Sequence, residues 1–428
     1  MITTRRTFLG LAAAGAGALA LPGCTSEAGG GGGSGPVRVA WYGGAPVHEG
    51  VEGALAAWGS SHPDQPYAVE RAPFDDYWDK LATQTAGRDA PDVFRMSMSY
   101  FSDYAGRGAL RDLSGAVGGT IRTADLDPDV ASSGQVGDEL FGIGQSSISH
   151  AVFVSSAVLE EVGASLPADW TWQEFGEFVR GFATEAGPGS WGSNDLGGNL
   201  QLFDVYARQR GTDLFNPGGA GLAVAVDTVA EWFGLWDDLR RADAVPPGDV
   251  SAETGSFETS LLAQGKAPLA AGWVQQVTFY QPLVPDSEVQ VVPLPSFQAG
   301  DLSGQFLKAL DLWCVSGTTE QPEVAEAVVD FLVNDPAAAA SIGLTLGVPP
   351  SERARTALAA EAGPAPQRAI EYVEGLAGRV GPSPEAWPSG YGELLSAFDR
   401  LNQDIAFDRS DPSAAAAAFA EEAGRVLG

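Results

Sequence analysis

From residue 37 onward, short apolar runs alternate with stretches whose apolar residues recur every three or four positions. Val37-Arg38-Val39-Ala40-Trp41-Tyr42 predicts a strand, closed by Gly43-Gly44. Val51, Ala54, Leu55 and Trp58 stand at i, i+3, i+4 and i+7, the spacing of a helix with one buried face. Tyr67–Glu70 predicts a second strand, Tyr77 and Leu81 mark one face of a second helix, and Pro91–Phe94 opens a third strand. Such alternation implies βαβ units and a mainly parallel sheet.

The pattern persists to the C-terminus. Thr171-Trp172-Gln173-Glu174 predicts a capping box, with Trp172, Phe175, Val179 and Phe182 on the buried face that follows. Ser256 predicts the start of a helix ending at Gly265, and an apolar strand runs through Ala270. Val289–Val292 predicts another strand, stopped by Pro293 and Pro295. Val324–Val333 and the tail from about Tyr391, with the alanine-rich Ala414–Leu427, predict helices.

Before residue 37 the pattern is of another kind. Thr4-Arg5-Arg6-Thr7-Phe8-Leu9 fits a twin-arginine export signal, and Phe8–Ala20 is uncharged and apolar or glycine. That run is shorter than the roughly 20 apolar residues a bilayer span needs, and suits a signal core. Leu21-Pro22-Gly23-Cys24 resembles a lipobox, in which cleavage before the cysteine is accompanied by attachment of diacylglycerol to its sulfur. Residues 24–36 are then a Gly/Ser-rich tether, with an r.m.s. reach of about 20 Å. The expected product is an extracytoplasmic protein, lipid-anchored through Cys24 to the outer face of the cytoplasmic membrane.

Composition narrows the chemistry. In 428 residues, hydrophobic side chains make up 44% and charged ones 18%, which is ordinary for a globular body. The formal charge is −31, and removal of Arg5 and Arg6 makes it more negative still, so binding to nucleic acid is excluded on charge. With Cys24 lipidated, Cys314 has no intrachain partner, and Leu312-Trp313-Cys314-Val315 reads as a buried strand. His48, His62 and His150 lie far apart and lack metal-ligand spacing, so no metal, cofactor or catalytic residue is expected.

Six blocks carry a resemblance. They are Phe74–Gly87 with Ala90-Pro91-Asp92-Val93, Tyr104–Leu113, Leu166-Pro167 with Trp170–Phe175, Gln264–Ala267 with Ala271-Gly272-Trp273, Val292–Pro295, and Glu323–Ala327 with Phe331–Asp335. In this order they resemble the family 1 extracellular solute-binding proteins, the sugar-capturing subunits of ABC importers. The resemblance implies a periplasmic-binding-protein-like fold of two α/β lobes, joined by strand crossovers around a ligand cleft. It implies a first lobe of 37–146 and 293–341 and a second of 149–288 and 347–428. It also implies a monomer that delivers a sugar, in the first instance an oligosaccharide, to membrane permease subunits. Met96-Ser97-Met98-Ser99 and Gly144–Ser149 depart from the family's usual polar residues, so no particular relative's ligand transfers with the fold.

A sugar needs flat apolar faces for its C–H surface and amides, carboxylates or hydroxyls for its rim. Candidates at strand ends and turns are Trp41, Tyr42, Asp75, Asp76, Ser97, Gln145, Ser147, Trp191, Asn194, Asp195, Asn199, Trp273, Gln276, Trp387 and Tyr391. Trp273 also matches the family's cleft tryptophan and is expected to keep one face in solvent without ligand. Asp75 or Asp76 serves equally well as a helix N-cap. Two alternatives remain open at this level: a secreted carbohydrate-active enzyme, or the same fold holding a non-sugar solute.

Overall fold

The computed structural model describes residues 35–167 and 169–428, with Asp75 as backbone only; the expected export signal, Cys24 and most of the expected tether lie outside the described residues. Two sheets organise the body. In the first, strands Tyr67–Ala72, Val37–Tyr42 and Val93–Ser97 run parallel in that spatial order. Asp311–Val315 then pairs antiparallel with Val93–Ser97, and Ile143–Gly144 closes the edge. Helices Ala45–Ser61 and Phe74–Ala86 make the connections between the parallel strands.

Strand alternation sorts this sheet's side chains onto two faces. Val37, Val39 and Trp41 point to one, where Val51, Leu55 and Trp58 of the first helix cover them together with Trp313 and Val315. Ala40, Tyr42, Phe94 and Met96 point to the other, into a second core that continues through Ile148 into the rest of the molecule. Cys314 lies in this second core, fully buried.

The second sheet places His150–Ser155 between Leu269–Trp273 and Val289–Val292, both antiparallel to it. The mainly parallel expectation therefore holds for the first sheet alone. Around this sheet pack Trp172–Ala186, Val226–Arg241, Tyr391–Ala406 and Pro412–Val426. The capping box at Thr171 forms: Glu174 N donates to Thr171 Oγ1 at 3.2 Å and Thr171 N to Glu174 Oε2 at 2.8 Å, an arrangement that stabilises a helix start by about 1 kcal/mol. The helix expected from Ser256 to Gly265 does not propagate. Ser256 and Thr259 exchange hydroxyl–amide hydrogen bonds, and Ser260 Oγ accepts from Ala263 N, giving successive separate turns.

Three segments cross between the sheets side by side. Ile148 and Lys308 exchange backbone hydrogen bonds of 3.0 and 3.1 Å, and Ser147 N donates to Val348 O at 2.7 Å. Two of these crossings fall later than the lobe bounds that the resemblance implies, while the crossing at Ser147–Ile148 falls where it implies. Val289–Val292 belongs to the second sheet, and Ser296 still bridges Thr171, so the chain returns to the first lobe after Ser296 and not at Pro293. Helix Glu352–Glu361 packs on the first-lobe helix Pro336–Ile342, with Arg355 paired to Asp127 at 3.0 Å. The second lobe resumes with Pro364–Leu376, which packs on Val289–Val292.

Candidate functional site

Each sheet presents a cluster of polar and aromatic side chains where its strands meet the crossing segments. In the first lobe the cluster is filled by its own members. Arg95, buried, donates from Nη2 to Asp311 Oδ2 at 2.8 Å and from Nη1 to the Tyr42 carbonyl at 2.8 Å. Its guanidinium also sits 4.2 Å from the Tyr42 ring centroid. The Tyr42 hydroxyl donates to Asp311, and burial raises its pKa well above the ordinary range. The Gln145 amide, with its oxygen turned to Arg95 at 3.1 Å, completes the set.

In the second lobe a cavity of about 750 Å³ opens instead. That volume lies within the range of small-molecule sites. Trp273, at the end of its strand, and His150, its partner across the ladder, form the inner wall; their rings stack at 3.7 Å. His150 is 1% exposed, and among the described residues neither ring nitrogen meets a partner in good hydrogen-bond geometry. Burial without an acidic neighbour lowers its pKa to about 3, so the imidazole is neutral. Asn194, Asp195 and Asn199 line a second side, together with Gln201. Asp195 pairs with Arg240, whose Nη1 also donates to Asn402 Oδ1 at 3.1 Å. Asn199 Oδ1 caps helix Leu200–Arg208, accepting from Gln201 N and Leu202 N. Gln276 Oε1 accepts from Trp273 N at 3.1 Å. The end of helix Gly248–Glu253, the turns that follow it to Ser260, and the helix face of Asp399, Asn402, Gln403 and Ala406 close the cavity.

Five of the sequence candidates thus meet around one space: Asn194, Asp195, Asn199, Trp273 and Gln276. The others go elsewhere. Trp41 shares the face of Val37 and Val39, is 0% exposed, and donates from Nε1 to His48 at 3.1 Å; it is core. Tyr42 and Gln145 belong to the Arg95 network. Ser147 is buried with its hydroxyl on Asp127. Ser97 caps helix Met98–Gly106, accepting from Ser99 N. Asp76 is exposed and no cap, because Pro73 holds the N-cap position; the side chain of Asp75 lies outside the described residues. Trp191 is half-buried and does not line the cavity. Trp387 and Tyr391 stack on each other at 4.2 Å inside the core, Tyr391 being 0% exposed. Trp273 itself is only 7% exposed, so the open indole face expected for it is largely covered by His150.

A family model described as bacterial extracellular solute-binding protein matches residues 56–367. The chain belongs to this family. A family 1 extracellular solute-binding protein from Alicyclobacillus acidocaldarius is 28% identical and superposes with a TM-score of 0.73, over 92% of this chain and 99% of the other. A periplasmic oligogalacturonide-binding protein from Yersinia enterocolitica, in complex with saturated digalacturonic acid, is 20% identical with a TM-score of 0.78, over 92% and 98%. A curated relative, an uncharacterized lipoprotein in the oleD 5' region of Streptomyces antibioticus, is 25% identical over 297 residues, 65% of this chain. The chain spans about three fifths of that relative's length, 62%.

Several residues of this solute-binding protein's cavity escaped the sequence reading. Asp399, Asn402, Gln403 and Ala406 stand at i, i+3, i+4 and i+7, so their shared face was readable from helical spacing. His150 and the turns around Ser251–Ser260 gave no such signal, because their place in the wall depends on the crossover and on the failure of a helix to form.

Proposed function

We propose that this solute-binding protein captures a saccharide and delivers it to the permease of an ABC importer, without chemical change. The observation that carries the reading is the 750 Å³ cavity, in which an indole stands among the side-chain amides of Asn194, Asn199, Gln201, Gln276 and Gln403. Flat apolar surface beside planar hydrogen-bonding groups matches the two faces of a pyranose ring. Binding draws the lobes together, because ligand contacts made only in the closed state shift the population toward it. The test is a thermal-shift screen of neutral, amino and acidic saccharides against amino acids, polyamines and phosphodiesters, followed by calorimetry and product analysis. Saturable binding of a saccharide recovered intact supports the reading; binding confined to non-sugars, or hydrolysis of the bound sugar, overturns it.

The same reading places the body outside the cell, exported through the twin-arginine signal and held by lipid on Cys24. Cys24→Ser leaves export intact and moves the protein from the detergent phase to the aqueous phase in a phase-partition assay. A variant that still partitions with detergent overturns the anchor.

A further inference from the structure

The cavity carries a charge pattern that sharpens the ligand class, and the inference rests on the saccharide reading above. Its lining includes three carboxylates, Asp195, Glu258 and Asp399, and among the described residues no lysine or arginine. Asp195 is neutralised by Arg240, which stands behind the lining and also holds Asn402. Among the described residues Asp399 and Glu258 have no cationic partner, and Asp399 accepts from the Gln403 amide at 2.7 Å. His150, also in the lining, is buried and its imidazole is neutral, so it adds no positive charge. Two free carboxylates, an uncharged imidazole and an aromatic wall therefore face one space.

We propose that the cavity selects a saccharide bearing a protonated amino group over its hydroxyl counterpart, with Asp399 as the selecting residue, and that it rejects uronic acids. Asp399 and Glu258 are both exposed, so water screens their attraction for an ammonium, but no lysine or arginine among the described lining residues opposes it. The same carboxylates repel a uronate, and no lining cation offsets that repulsion. The wall of Trp273 and His150 and the lining amides serve an uncharged sugar equally, so the amino group sets preference rather than the whole affinity.

The test is a glycan array carrying matched amine, hydroxyl and uronate forms of the same oligosaccharides, with spermidine as a non-sugar cation. Calorimetry then ranks any matched set that binds. An amine form preferred by about threefold or more over its hydroxyl counterpart, with that ratio falling toward one in Asp399→Asn and less in Glu258→Gln, supports the proposal. Both variants are near-isosteric, and unchanged melting and circular dichroism verify their fold. Equal binding of amine and hydroxyl forms, or preference for the uronate, overturns the charge selection and leaves the saccharide reading standing. Spermidine binding with no glycan bound overturns the saccharide reading, and this inference with it.

Discussion

Arg95 in the first lobe and His150 in the second are both buried nitrogen-bearing side chains beside an aromatic ring, close to the crossing segments. Arg95 has Asp311, the Tyr42 carbonyl, the Tyr42 ring and Gln145 around it. His150 has the Trp273 ring on one face and, among the described residues, no well-placed partner for either nitrogen. One cluster has consumed its hydrogen-bonding capacity; the other keeps capacity that the fold does not use. An unsatisfied buried polar group is unfavourable by about 1–3 kcal/mol. A cavity with such groups in its wall is thus a place where a ligand gains what the fold has left unmade. Polar residues stand at strand ends in both lobes, so their presence does not locate a site; an open space beside unfilled partners does.

The comparison breaks most directly at Asp311. Asp311→Ala leaves the Arg95 charge buried without its carboxylate, and loss of one partner of such a pair is destabilising by about 3–5 kcal/mol. Urea denaturation of the tether-free body measures this; a loss below about 1 kcal/mol would mean the first-lobe network is not closed as described. Trp273→Ala acts on both sides of the comparison. It removes an indole that is 7% exposed and stacked on His150, so stability falls by about 3 kcal/mol and saccharide affinity by roughly 10- to 100-fold. Trp273→Phe keeps an aromatic face and restores most of the stability; an affinity equal to wild type in the alanine variant would remove Trp273 from the site.

His150 gives a smaller effect with a defined pH window. Its pKa falls from 6.5 in the unfolded chain to about 3 in the folded one, through burial. The unfolded chain therefore binds the extra proton between those values. Stability contributed by the neutral imidazole is complete above about pH 6.5 and is lost as pH falls, by up to about 1.4 kcal/mol per unit. His150→Gln removes that component, so the difference in unfolding free energy between wild type and variant narrows or reverses from pH 7 to pH 4.5. A constant difference over this range refutes the assignment. The smallest effect is kinetic. Burial pushes the Cys314 thiol pKa well up. Native-state labelling of the tether-free body with an aromatic disulfide is then slow, and becomes fast, at about one thiol per chain, on denaturation.

Much of the fold was legible because local patterns and tertiary burial agreed. The strand at Val37–Tyr42, the amphipathic first helix and the Thr171 box formed where the pattern put them. Trp41 and Tyr42 show how close the sequence came to the site and why it missed. Adjacent strand residues face opposite ways, so Trp41 follows Val37 and Val39 into the core while Tyr42 follows Ala40 to the other face. Alternation alone decides that much. It does not say that Asp311, remote in the chain, returns antiparallel to meet Tyr42 and Arg95 and occupy their hydrogen bonds.

By itself the sequence determined the alternation of strand and helix, the family, and which residue types stand at strand ends and turns. It also contained the polar helix face of Asp399, Asn402 and Gln403. Tertiary structure decided which polar residues remain open to a ligand. Trp387 and Tyr391, in a Pro/Gly-rich stretch, stack inside the core, whereas Asn194 and Trp273, remote in the chain, share a cavity wall. The physical reason is that a side chain's hydrogen-bonding capacity is local, while its satisfaction depends on partners delivered by crossings between the two sheets.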